Sequence, residues 1–137
     1  FTMMMGDFLT LNQVGLPIKV IVLNNGTLGF VEMEMKAAGF PDVGCDLKNP
    51  NFAAMAQAMG VKGIRVEHPA ELEAALREAL SHDGPVLVDV VSARQELVMP
   101  PTKTFEQAKG FGLFMLKTVM DGRARELIDL AKVNLWR

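Results

Sequence analysis

Two adjacent side-chain amides and a glycine carry the most chemical promise in this sequence: Asn24, Asn25 and Gly26, which interrupt the run IKVIVLNNGTLGF. An asparagine carbonyl oxygen is a hard donor suited to Mg²⁺ or Ca²⁺. Gly26 permits a tight turn without Cβ strain, and the following stretch from Thr27 to Lys36 has helical composition. Backbone N–H groups at the start of such a helix would face an anion above the turn. A metal ion together with a phosphate is the natural ligand of this arrangement. Asn-Gly is equally an ordinary turn dipeptide, and a strand can end this way in a protein that binds nothing there. Residue types and spacing leave both readings open.

Other reactive side chains are less promising. Cys45 stands alone between Gly44 and Asp46, so it has no internal disulfide partner and reads as incidental rather than nucleophilic. A single cysteine fits a reducing compartment. His68 and His82 fall in turns that flank helices, and neither is assigned a catalytic role.

The elements that must position the two amides follow from the apolar pattern. Ile18, Val20, Ile21, Val22 and Leu23 are nearly uninterrupted and mostly β-branched, which suits a strand buried on both faces of a parallel sheet. Open α/β sheets bind ligands at the carboxyl ends of such strands, where Asn24-Asn25-Gly26 lies. Upstream, Met3, Met4, Phe8, Leu9 and Leu11 alternate with Asp7, Asn12 and Gln13 as an amphipathic helix closed by Gly15 and Pro17. Downstream, a loop runs from Ala38 to Pro50, and Asn51 caps a helix FAAMAQAMG ending at Gly60. Val61 to Val66 is a short strand, Pro69 opens the helix AELEAALREALS, and Val86 to Val91 is a second strongly apolar strand. The order strand, helix, helix, strand, helix, strand predicts an α/β fold, a doubly wound and mostly parallel sheet with flanking helices. Met99-Pro100-Pro101 breaks the pattern, and a helical tail follows. The expected division is residues 1–95 and a C-terminal extension, 96–137.

Composition narrows the class of function. Half of the 137 residues are hydrophobic, 22% are charged and the formal net charge is −2, which describes a globular chain. Lysine and arginine are scattered rather than striped, so nucleic acid is not an expected partner. No apolar run approaches the roughly 20 residues a membrane span requires, and no signal peptide is visible, so a cytoplasmic location is expected.

The segments GDFLTLNQVGLPIKVIVLNNGTLGFVEMEMK, FAAMAQAMGVKGIRVEHPAELEAALREAL and DGPVLVDVV closely resemble the thiamine-diphosphate domain of the pyruvate oxidase and acetolactate synthase superfamily. The tail, EQAKGFGLFMLKTVMDGRARELIDLAKVNLWR, resembles the C-terminus of the membrane-associated bacterial pyruvate dehydrogenases (quinone), the pyruvate oxidases. The superfamily's cofactor motif begins with Gly-Asp-Gly and ends in Asn-Asn. The resemblance makes Asn24-Asn25 that ending and places Gly-Asp-Gly just upstream of Phe1. It implies that the Asn25 side chain and the Thr27 carbonyl ligate a Mg²⁺ bridging the cofactor's diphosphate. Gly26, Leu28 and Gly29 are then expected to add backbone contacts. Gly6-Asp7 lies too close to Asn25, and within a helix, to be the motif's start.

The same resemblance puts Phe30 and Glu34, one helical turn apart, in a substrate pocket; without it Phe30 reads as a core aromatic and Glu34 as a solvated charge. In the tail, Phe111, Phe114, Met115, Leu127, Ile128, Leu135 and Trp136 are interleaved with Lys117, Arg123, Arg125, Lys132 and Arg137. That composition suits a helix in a membrane interface, and equally one packed on a neighbouring domain or subunit. The resemblance favours a lipid-binding tail that docks at rest and is released when substrate reduces the flavin, on a cytoplasmic enzyme peripheral to the inner face of the cell membrane.

The expected function is that of a fragment of a pyruvate:quinone oxidoreductase, decarboxylating pyruvate to acetate and CO₂ with thiamine diphosphate, Mg²⁺ and FAD and passing electrons to membrane quinone. The alternatives are a fragment of an acetolactate synthase-like enzyme and a non-catalytic lipid-binding or associating domain. No catalytic residue is expected within these residues, because the cofactor-activating glutamate and most of the FAD site lie in other domains of the family. The strand preceding Phe1 is expected to be missing, the isolated chain inactive, and the whole enzyme a homo-oligomer, usually a tetramer.

Overall fold

The computed structural model describes residues 1–94, 96 and 104–135. The chain forms an α/β fold divided into two compact units that interleave along the sequence. The first is Phe1–Asn25 with Lys48–Ser92, the second Gly26–Leu47 with Ala93–Arg137.

The first unit is built on three parallel strands, β1 (Lys19–Asn24), β2 (Lys62–Val66) and β3 (Val86–Val91), in the order β1-β3-β2. The register sets Val22, Asp89 and Arg65 abreast. A parallel sheet must be covered on both faces. On one side α3 (Phe52–Ala58) and Phe8 of α1 (Phe8–Val14) close over Leu87 and Val61. On the other, α4 (Leu72–Ser81) lays Ala75 and Ala79 over Val66, Val86 and Val88. Full burial of each such valine or leucine contributes about 1.5–3 kcal/mol. Asn51 caps α3 by accepting a hydrogen bond from the Ala54 amide, as its residue type predicts. Gly63 lets α3 lie directly on β2, since a Cβ there would come within 2.0 Å of the Ala53 carbonyl oxygen.

Two sequence expectations need correction. β1 is an edge strand covered on only one face: α4 lies over β2 and β3, which leaves Ile21 and Leu23 exposed, Leu23 at 73%. The amphipathic N-terminal helix is broken into a 3₁₀ stretch, Thr2–Asp7, and α1, and of its apolar residues only Phe8 is buried while Met3, Met4 and Leu9 face solvent. The 3.6-residue pattern is present, but nothing in the described residues covers that stripe.

The second unit is helical: α2 (Gly29–Ala37), α5 (Phe105–Met120) and α6 (Ala124–Leu135), with the 38–47 segment folded among them. Gly110 brings α5 against the end of α2, where a Cβ would meet the Ala37 carbonyl oxygen at 1.9 Å. Thr104 starts α5 with a capping box, accepting from the Gln107 amide while the Gln107 side chain accepts from the Thr104 amide. Among the described residues no helix is long and apolar enough to cross a membrane. The Met99-Pro100-Pro101 break, Trp136 and Arg137 lie outside the described residues.

Candidate functional site

In the first unit, β1 delivers Asn24 to the carboxyl edge of the sheet, and half-buried Asn25 follows it. The two amides are not equivalent. Asn24 is committed to the fold: its Nδ2 donates to Asp89 Oδ1 at 3.1 Å, its Oδ1 accepts from Asn49 Nδ2 at 2.9 Å, and its carbonyl accepts from the Ser92 amide. Asp89, 0% exposed, also accepts from Arg65 Nη1 at 2.6 Å and from the Phe52 amide at 3.0 Å. Arg65 is held firmly in its charged form by its bond to Glu67, with Asp89 adding to the effect against burial.

In the second unit, Gly26 takes a left-handed φ of 67°, and a Cβ there would meet the Leu47 carbonyl oxygen at 4.0 Å, ordinary contact distance. Thr27 pairs antiparallel with Asp46. The Leu47 amide donates to the Gly26 carbonyl and the Leu28 amide to the Cys45 carbonyl. These bonds flank Thr27, so the pairing directs the Thr27 N–H and C=O away from the 45–47 segment. The Thr27 hydroxyl turns inward, 2.5 Å from Glu32 Oε2 and 3.1 Å from the Cys45 carbonyl oxygen. Leu28 stands at the N-cap of α2 and Gly29 begins the helix. The N-cap residue Leu28 supplies no side-chain cap to α2, in contrast to Asn51 at α3 and Thr104 at α5, so the amides of its first turn receive no acceptor from that side chain.

These features fit a diphosphate with its divalent cation. The donor set is oxygen only, the Gly26 turn leaves room for close approach, and the uncapped helix start offers N–H groups to an anion. Asn25, at the end of the first unit, and Thr27, in the second, each carry a carbonyl oxygen of the kind a hard divalent cation accepts.

Both predicted pocket residues lie on α2. Phe30 is 71% exposed, whereas Glu34 lines an open groove of about 460 Å³ with Ala37, Glu106, Gly110 and Leu113. In the tail, Met115, Ile128 and Leu135 are exposed and Phe111 and Leu127 half-buried. Phe114, at 0% exposure, lies in the interior of the second unit, with its ring 5.2 Å from the Lys36 ammonium.

Sequence reasoning missed the ionic cluster around that ammonium. Lys36 Nζ, on a residue only 2% exposed, lies 2.6 Å from Glu32, 3.2 Å from Glu126 and 3.8 Å from Asp42. The three carboxylates approach closely enough to hold a metal ion, but the ammonium of Lys36 stands among them and supplies the positive charge. Arg123 bonds Asp42 at 2.8 Å, and Arg94 pairs with Asp46. Burial pushes the Asp42 carboxyl up, but Arg123, its own backbone amide and Lys36 outweigh it and hold the group below its ordinary 3.8. Burial raises the Cys45 thiol, with Glu32 and Asp42 adding to it, so the thiol is poorly suited to act as a nucleophile. Asp89 was the detectable signal for the other missed network: a lone acid inside VLVDVV demands a buried partner.

Residues 1–90 match the family "thiamine pyrophosphate enzyme, C-terminal TPP binding domain", and the chain belongs to that family. It is 41% identical over 132 residues, 96% of its length, to the putative thiamine pyrophosphate-containing protein YdaP of Bacillus subtilis, and covers 23% of that protein. It is 37% identical to the mitochondrial acetolactate synthase of Schizosaccharomyces pombe and 35% to the acetolactate synthase catalytic subunit of Saccharomyces cerevisiae, matching 73% of this chain and 15% of each enzyme. The chain thus spans less than a quarter of the length of these relatives.

Proposed function

We propose, on the premise of that membership, that these residues are the diphosphate-holding part of a thiamine-diphosphate- and Mg²⁺-dependent pyruvate:quinone oxidoreductase that yields acetate and CO₂. Bound there, thiamine diphosphate would supply the electron sink that decarboxylation of a 2-oxo acid requires. The chain's own part is binding and orientation. Asn25 and the Thr27 carbonyl hold the cation, and the backbone of Gly26, Leu28 and Gly29 receives the diphosphate. FAD, quinone and the catalytic base are assigned to other parts of a homotetrameric enzyme, so the 137 residues alone are inactive.

The observation that carries this reading is the tail. A 132-residue match to the Bacillus protein must run into α5 and α6, whereas the acetolactate synthases match 73% of the chain. The tail also presents an apolar face: Met115, Leu116, Val119 and Met120 on α5 with Ile128 and Leu135 on α6 are exposed. We assign this face, without Phe114, to lipid at the inner surface of the cell membrane.

An acetolactate synthase is the second reading, favoured by the identity of 37% and 35% to two such enzymes. The two reactions diverge after decarboxylation, and assay of the intact protein with pyruvate separates them. Pyruvate-dependent reduction of a quinone analogue without acetolactate supports the oxidoreductase; acetolactate without quinone reduction overturns it. Flotation with anionic liposomes tests the tail, because equal binding with and without residues after 101 removes its lipid role.

A further inference from the structure

The buried Asp89 carboxylate holds Asn24, the residue beside one of the proposed cofactor ligands. Its strand, VLVDVV, is the middle one of the three, and a valine at position 89 would suit such a strand without the cost of burying a charge. That cost is offset by three donors: Arg65 and the Phe52 amide on Oδ2, and the Asn24 amide on Oδ1. Asn49 completes the set from the far side of Asn24. Donation to Asp89 and acceptance from Asn49 fix which end of the Asn24 amide is oxygen, and the Ser92 amide fixes its backbone. The last residue of β1 therefore has no rotameric freedom, and Asn25 follows it directly.

We infer that Asp89, acting through Asn24 and braced by Asn49 and Arg65, is a positioning residue for binding of a divalent cation with thiamine diphosphate at Asn25. The inference rests on the cofactor reading above. A purely structural carboxylate would lower stability when changed, and leave the cation requirement of the folded protein alone. A positioning carboxylate changes the cation requirement itself, because partners of ligand-bearing segments set ligand direction.

The experiment is calorimetric titration of MgCl₂ into the intact protein saturated with thiamine diphosphate, with thermal unfolding of the cofactor-free protein measured alongside. Asp89→Asn removes the charge and is expected to raise the half-saturating Mg²⁺ concentration about tenfold. Asn49→Ala, at a partly exposed position, is expected to raise it less and to leave thermal unfolding unchanged. The exchanged pair, Asn24→Asp with Asp89→Asn, restores a donor–acceptor contact with its sense reversed and is expected to recover most of the loss. Unchanged Mg²⁺ dependence in folded Asp89→Asn, or no recovery in the exchanged pair, overturns the inference. Should Asp89→Asn fail to fold, unchanged Mg²⁺ dependence in Asn49→Ala overturns it. A parent protein that takes up Mg²⁺ and thiamine diphosphate leaves the cofactor reading standing in all these cases; one that takes up neither overturns both.

Discussion

The first unit is held by an apolar core and the second by buried charge. Around β3, Val86, Leu87 and Val88 are fully enclosed by aliphatic and aromatic neighbours, and Asp89 is the one carboxylate admitted. Among the described residues of the second unit the buried apolar set is small, Phe114, Leu130 and Cys45, and the centre is Lys36 with Glu32, Asp42 and Glu126. Apolar cores degrade in proportion to the volume removed. An ionic cluster fails when one partner goes, because the remainder is left buried and uncompensated.

The sharpest way to break the contrast is to remove the cation. Lys36→Met keeps the side-chain volume and leaves three carboxylates facing one another without the ammonium that pairs with each. Loss of about 3–5 kcal/mol is expected from such a break. Hydrogen exchange locates it: amides of α5 and α6 lose protection while those of β3 keep theirs. Equal loss in both units would mean that the two do not differ in what supports them. Leu87→Ala is the counterpart in the first unit, expected to cost about 2–5 kcal/mol and to deprotect the sheet amides first.

The same contrast governs what could be read from sequence. The strands Val61 to Val66 and Val86 to Val91, and the Asn51 cap, were legible because apolar runs and capping residues act locally. The exposed face of β1 was not, since Ile21 and Leu23 look buried in sequence and only the position of α4 shows otherwise. Of the candidate site, the Asn-Asn-Gly turn was visible. The roles of its two asparagines became distinct only when Asp89 and Asn49, distant in sequence, came to Asn24. The burial of Lys36 and Glu32 leaves no mark in the sequence, because Asp42 and Glu126 reach them only in three dimensions. Phe114 reads as part of a membrane stripe for the same reason: one face of an amphipathic helix carries no mark of what covers it.

Acid separates the two units by a smaller margin. The folded pKa of Asp42 lies below its unfolded value, so its contribution is complete above the unfolded pKa and is lost as pH falls through the folded one. The window therefore lies below 3.8, and circular dichroism there is expected to report loss of α5 and α6 before the sheet. Arg123→Gln removes the bond that most depresses the group, and the loss should begin at higher pH. An acid transition at the parent's pH in that variant would detach Asp42 from the behaviour of the second unit.

The smallest expected effects come from the two helix caps, and they test whether the units differ only in their centres. Asn51 and Thr104 each satisfy one first-turn amide, that of Ala54 and that of Gln107. Neither bond involves a buried charge or a core side chain, and Asn51 and Thr104 are both exposed. Asn51→Ala and Thr104→Ala should therefore cost about the same, roughly 1 kcal/mol each, in urea unfolding. Thr104 has the additional reciprocal bond from its own amide to Gln107, so Gln107→Ala should cost a fraction of that amount. Costs that match at the caps while Lys36→Met and Leu87→Ala deprotect different elements would locate the difference between the units in their interiors. A Thr104→Ala loss as large as that of Lys36→Met would instead mean that the start of α5, and not the ionic cluster, holds the second unit together.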